Sequence, residues 1–275
     1  MDLIFKENIR LRRIFMALCT AFYVAVVIKG YQSLTQPKAL FTVLISFILI
    51  TLAIIFIVGN KDHTKLLKLM RILYQLRDPD VFLEEFDKAV DLKIVAPSTK
   101  VTILIHKANA LCYSGKEKEA LALLEGLDEG KKVNNNQIAL VRGNRITFRL
   151  LNDDLENLDT EIEAFDAFLK EKYREKDKDL ADYHKKNLEQ KKIQYKIASG
   201  KDLSKEEVSR IWDLLKLGGN AISIENLRYF AALYLLEEKD KTGAVEQLSL
   251  IRTEKAKTAI EKKAQALLLS LQTEK

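Results

Sequence analysis

The sequence is poor in the residues that cross-link or punctuate a chain. Two cysteines, Cys19 and Cys112, among 275 residues cannot build a disulfide framework. Cys19 lies in an apolar stretch and Cys112 in an expected amphipathic helix; each reads as a small buried side chain, which fits a reducing compartment for the large domain. Three prolines and ten glycines leave long uninterrupted segments, and Leu, Lys and Glu are abundant. That composition favours helix. Marked catalytic and cofactor motifs are missing as well. There is no GxxxxGK[ST], GxGxxG, CxxC, GxSxG or HExxH. The histidines His63, His106 and His184 never pair at helical spacing, and His106 reads as structural. Asp153 and Asp154 are adjacent carboxylates at an expected helix start, where acids favour the positive end of the dipole. The expectation is therefore no catalytic residue, no metal, no cofactor and no small-molecule substrate.

Positive charge is present, but it is not spread over the folded part. The formal charge is +6. Residues 1–60 carry Lys6, Arg10, Arg12, Arg13, Lys29 and Lys38 against only Asp2 and Glu7, and the remainder is close to balanced. A nucleic-acid reader concentrates its excess on the domain that docks, so no nucleic-acid partner is expected.

The basic residues flank two apolar runs. Ala39–Val58 is uncharged for about 20 residues, the length of a helix crossing a hydrocarbon core of roughly 30 Å. Ile14–Ile28 is shorter, about 15 residues. Arg13 and Lys29 can snorkel, and the helix can run on through Tyr31 and Leu34. A cleaved secretory signal is the rival reading, but no small-x-small site follows Ile28 and a complete spanning stretch comes next. Lys29–Lys38 holds Gly30 and Pro37 and reads as a tight turn. Two crossings follow, over about 12–32 and 39–58, the length set by the bilayer core. Arg10, Arg12 and Arg13 before them, and Lys61 and Lys65 after them, place both chain ends in the cytoplasm. Small residues such as Ala17, Ala21, Ala25, Ser46 and Ala53 suit a contact between the crossings. No charge lies well inside either run, which argues against a two-helix transporter.

Residues 61–275 read as helix pairs. Thr64–Leu76 is amphipathic, and its basic face suits anionic headgroups or the start of the domain. Asp78-Pro79-Asp80 and Ala96-Pro97-Ser98 are breakers, and Ser98 or Thr99 is the expected cap of the next helix. Helices are expected over about 101–113 and 117–127 around Gly115, over 136–151 and 155–173, over 180–197 and 204–217, and from 224 onward. Ser204-Lys-Glu-Glu207 is a capping box. The run Lys170–Asp179 reads as a solvated helix end or turn. Helix starts near 64, 100, 136, 180, 223 and 257 recur about every 36–44 residues, and a last helix near 256–271 stands alone as a cap.

Leu104, Ala108, Leu111, Gly115, Ala120 and Leu124 form a small–turn glycine–small pattern, and Ala232 and Ala244 repeat its spacing with Lys239 at the glycine position. This resembles a tetratricopeptide repeat, although the early Trp and closing Pro of that family are absent. The resemblance implies an all-α solenoid whose first helices line a groove for a peptide or partner helix. In that register Ile105, Asn109, Cys112 and Tyr113, with Asn226, Tyr229 and Leu233, face the groove. The family's carboxylate-gripping subset uses a Lys four residues before the Asn. Here Ile105 stands in that place before Asn109, so an apolar or aromatic contact is expected.

The whole reads as a bacterial-type cell-membrane protein, multi-pass, whose cytosolic helical repeat domain recruits or scaffolds an unidentified protein or peptide. The alternatives are an accessory subunit that meets a larger membrane complex through its transmembrane hairpin, a membrane-bound enzyme with an unmarked site, and an external domain behind a cleaved signal.

Overall fold

A computed structural model describes residues 17, 20–22, 24, 64–93, 95, 97–129, 133–173, 178–218, 220–251 and 256–273. Apart from the few helical positions between 17 and 24, the expected crossings, their connecting turn and Arg10, Arg12, Arg13 and Lys61 lie outside the described residues. Among the described residues no helix is long and apolar enough to cross a membrane. Lys65 is half-buried.

The described chain is all helical. Helix α1 covers 64–74. It is followed by α2 (Pro79–Ala89), α3 (Pro97–Tyr113), α4 (Glu117–Leu124), α5 (Asn135–Leu151) and α6 (Leu158–Lys172). Then come α7 (Lys178–Ala198), α8 (Lys205–Leu217), α9 (Ala221–Glu237), α10 (Lys241–Ser249) and α11 (Ala259–Thr273), with a single 3-10 turn at Leu127–Glu129. Local sequence explains the starts. Asn134 and Gln137 exchange a reciprocal capping box before α5, and Ser204 and Glu207 do the same before α8. Asn220 and Asp240 cap α9 and α10 by accepting from the backbone N–H of Ser223 and Gly243. The expected Ser98 or Thr99 cap is not used, since α3 already begins at Pro97. Proline suits a first helical residue, because its missing N–H has no partner there and its φ is preset. Likewise α6 begins at Leu158 rather than 155.

The described residues fall into two compact units. The smaller takes those up to Leu69 and Glu84–Val95. Within it Lys88 bridges Glu84 and Glu85 at 2.6 and 3.3 Å, and Phe86, Ala89, Val90 and Val95 are buried.

The larger unit, Met70–Leu83 with Ala96–Lys275, is a stack of helix pairs. α3 packs on α4, α5 on α6, α7 on α8 and α9 on α10. Each later first helix also rests on both helices of the pair before it: α5 on α3 and α4, α7 on α5 and α6, α9 on α7 and α8. That register is compatible with a helical solenoid, in which a pair buries its apolar face only against its neighbours. The last helix, expected to stand alone, packs on α9 and α10 and also reaches back to α3. The row of first helices thereby closes on itself. At its centre α5 is buried on most sides through Ala139, Val141, Gly143, Ile146, Phe148 and Leu150. Phe148 and Phe165 are fully enclosed, each contributing roughly 1.5–3 kcal/mol.

One backbone device reverses the chain inside every pair. Arg77, Gly115, Asp153, Gly200 and Lys239 all have left-handed φ, between 54° and 87°. Around each, the following N–H reaches back to a carbonyl near the helix end: Asp78 to Ile72, Lys116 to Leu111, Asp154 to Arg149, Lys201 to Lys196 and Asp240 to Leu235, at 2.8–3.1 Å. At the last four this is the Schellman closure; after Arg77 the bond from Asp78 spans one residue more. These positions recur about every 40 residues, the period of stacked hairpins. Lys239 thus occupies the glycine position, as its alignment with Gly115 implies.

A left-handed lysine is strained where glycine is not. Lys239→Gly is expected to raise stability by about 1 kcal/mol. Gly115→Ala should lower it by a comparable amount on conformation alone, because an added Cβ would meet Ala259 at an ordinary 3.9 Å. Thermal melts of both variants check this.

Candidate functional site

The residues expected to line the groove separate into two groups. The first forms where the end of α1 meets α3. Asn109 donates through Nδ2 to the Tyr74 hydroxyl at 2.9 Å, and that hydroxyl lies 2.9 Å from His106 Nδ1. The amide nitrogen cannot accept, so the phenol proton points to Nδ1 and the imidazole keeps its own on Nε2. The two rings meet edge-on with centroids 5.7 Å apart. Burial pushes His106 down to about 4, which keeps it neutral. Burial pushes the Tyr74 phenol up to about 12 against the opposing pull of Asn109. Tyr113, half-buried nearby, is likewise pushed well above its usual value by burial, with Tyr74, Cys112 and Tyr183 adding to the shift. Asn109 Oδ1 is buried and meets no hydrogen-bond partner. Cys112 is 1% exposed, and burial holds its thiol protonated.

The second group lies on α9. Tyr229 is half-buried and meets Phe230 edge-on at 5.9 Å, and burial with the nearby Asp153 carboxylate pushes its phenol up. Leu233 lines a cavity of about 440 Å³ together with Asp153, Ile197, Ala198, Leu236 and Glu237. Its wall is aliphatic, with a carboxylate from Asp153 and another from Glu237. Asn226 is 6% exposed, and its Oδ1 has no hydrogen-bond partner. Ile105, at 3% exposed, belongs to the main apolar cluster rather than to an open face. Of the expected residues, Tyr113, Tyr229 and Leu233 keep partial solvent access, while Ile105, Asn109 and Asn226 do not.

The paired carboxylates do not cap a helix. Asp153 occupies the left-handed turn and bonds Lys263 at 2.9 Å. Asp154 accepts from the Arg149 guanidinium at 2.9 and 3.2 Å, a pairing that holds its carboxyl below the usual range. Arg149 also reaches Glu161 at 2.7 Å and thereby fixes the α5–α6 loop. Lys170 and Lys172 pair with Asp166 and Glu171 at a helix end. His184 Nε2 lies 2.8 Å from Asn136 Oδ1 and ties α7 to α5. Among the described residues no group of three His, Cys, Asp or Glu is placed to hold a metal ion.

Sequence patterning did not mark Tyr74 or Arg77. Both sit at the end of α1, and their partners are more than thirty residues away. Arg77 is bonded to Glu225 and stands 3.8 Å from Glu261, while Asp78 is bonded to Lys257. No local periodicity encodes such pairs.

The neutral histidines set a pH dependence. In the folded chain His106 and His184 are both pushed down to about 4, chiefly by burial, whereas an unfolded histidine titrates near 6.5. Between those values the unfolded chain binds more protons. Their stabilisation is therefore full above pH 6.5 and is lost as pH falls towards 4. Urea melts at pH 7 and pH 5 should differ by about 2 kcal/mol for each histidine. His184→Gln should remove its share of that slope.

Comparisons with protein-family models, with curated proteins and with solved structures return no match for this chain.

Proposed function

We propose that the chain is a membrane-tethered scaffold whose tetratricopeptide-like helical domain holds a protein partner at the cytoplasmic face of a cell membrane. The observation that carries the reading is the register of the stack. First helices form one continuous inner row, and left-handed reversals recur about every 40 residues, as in hairpin solenoids that bind peptides. Tyr113, Tyr229 and Leu233 lie on that row with partial solvent access, and Leu233 lines the aliphatic cavity. Aromatic and leucine side chains of this kind anchor partners through apolar burial. The uncharged run Ala39–Val58, its shorter companion and the flanking basic residues support two crossings with both ends inside. A tether raises the local concentration of whatever the stack holds. The reading involves no reaction, cofactor or nucleic acid.

A second reading makes the transmembrane hairpin itself the contact, with the chain as an accessory subunit of a larger membrane complex. It is favoured by the helical positions Ala17, Thr20, Ala21 and Val24, all exposed, two of which are small enough for close helix approach.

Full-length protein should stay with the membrane fraction until detergent is added, and a reporter fused at Lys275 should read cytoplasmic. With the full-length chain as bait, Tyr229→Ala with Leu233→Asp should reduce recovery of a specifically captured partner about tenfold or more, as expected of central anchors. An unrelated two-helix anchor should leave capture intact. Capture lost on anchor replacement but kept in the Tyr229/Leu233 variant would establish the second reading instead.

A further inference from the structure

The stack closes through a seam built differently from the rest of the core. Inside the stack the contacts are large and apolar, with Phe148, Phe165, Leu158 and Ile146 of the α5–α6 pair fully enclosed. Where α11 returns to α3, Ala259 approaches Gly115 and Ile260 joins the main apolar cluster, so the contact brings in few large side chains. The remaining closure is ionic. Arg77 bonds Glu225, 148 residues away, and Lys257 bonds Asp78, 179 residues away. Lys263 adds bonds to the Leu151 carbonyl and to Asp153. The first half of α11 and the residues just before it thus meet the left-handed reversals at Arg77, Gly115 and Asp153 in turn.

This seam is incompletely satisfied. Arg77 is the guanidinium facing both Glu225 and Glu261, whose side chains are 5% and 0% exposed. Glu261 spends Oε2 on the backbone N–H groups of Lys257 and Thr258, at 2.6 and 3.0 Å, as the cap of its own helix. Its Oε1 and Arg77 Nε are both buried without a hydrogen-bond partner. Buried polar atoms in that state are costly, and a buried ion pair seldom repays its desolvation in full. Asn109 and Asn226 also leave a buried Oδ1 without a hydrogen-bond partner, but both are neutral amides. Structures open in cooperative units from their least stable boundary, and here that boundary is the closure rather than any hairpin.

We propose that Arg77 is the clasp of a ring that opens: the contact of residues 77–78 with α9 and α11 releases as a unit while the helix pairs stay folded, baring the inner row beneath α11. The release requires no partner and is independent of what the scaffold binds. Cys112 reports on it, being 1% exposed in the same apolar cluster as Ile260 of α11.

The test measures maleimide labelling of Cys112 by mass spectrometry in the full-length chain in detergent, with Cys19→Ser as background. Urea melts in parallel give global stability. Arg77→Ala should label Cys112 about tenfold faster than its loss of global stability accounts for, with helix content unchanged. Lys257→Ala, at a side chain 40% exposed, should shift labelling the same way by about threefold. Should Arg77→Ala not fold, Lys257→Ala decides. Labelling that rises only in step with global unfolding, or not at all, overturns the clasp.

Discussion

A chain of short helices can bury its apolar faces only if it reverses direction within a few residues, and every pair in the larger unit depends on that reversal. The left-handed residue at each helix end turns the backbone while the next N–H reclaims a carbonyl that would otherwise be orphaned. The device is conformational, so it tolerates different side chains at a modest cost. Gly115 and Gly200 adopt it freely. Arg77, Asp153 and Lys239 adopt it because the packing of the flanking helices over-determines them.

Once the reversals are set, packing follows a single register. Each first helix rests on the pair before it, and α3 and α5 are heavily enclosed because each has neighbours on several sides. The polar residues drawn into this interior are handled in pairs that join successive layers. Tyr74 serves both His106 and Asn109 across α1 and α3, and His184 meets Asn136 across α7 and α5. Accepting from the Tyr74 hydroxyl requires a neutral His106, and burial keeps both histidines neutral. The residues proposed to meet a partner lie on these same helices, so the proposed contact surface and the core share their elements.

Closure separates this chain from an open stack. Asp153 shows how. Its adjacent acidic pair reads as a helix cap, yet the tertiary fold uses it twice, as a reversal and as an anchor for Lys263. Glu225 and Glu261 look like ordinary surface carboxylates in the sequence and are buried around Arg77. A ring that ends where it began brings turn residues of early hairpins against the last helix, and charge decides how firmly it holds.

Helix positions, the capping box at Ser204, the turn at Gly115 and the equivalence of Lys239 were legible from the sequence, because propensity, capping and turn conformation are local; the second capping box, at Asn134, was equally local but went unmarked. The apolar stretch Ala39–Val58, expected to cross a membrane from its length and lack of charge, lies outside the described residues. Which groove-register residues stay accessible was not legible: Ile105 and Asn226 sit at groove positions by register yet are buried, Ile105 within the main apolar cluster. Contacts such as Arg77 with Glu225 depend on the summed geometry of all the intervening helices, and only the tertiary structure could decide them.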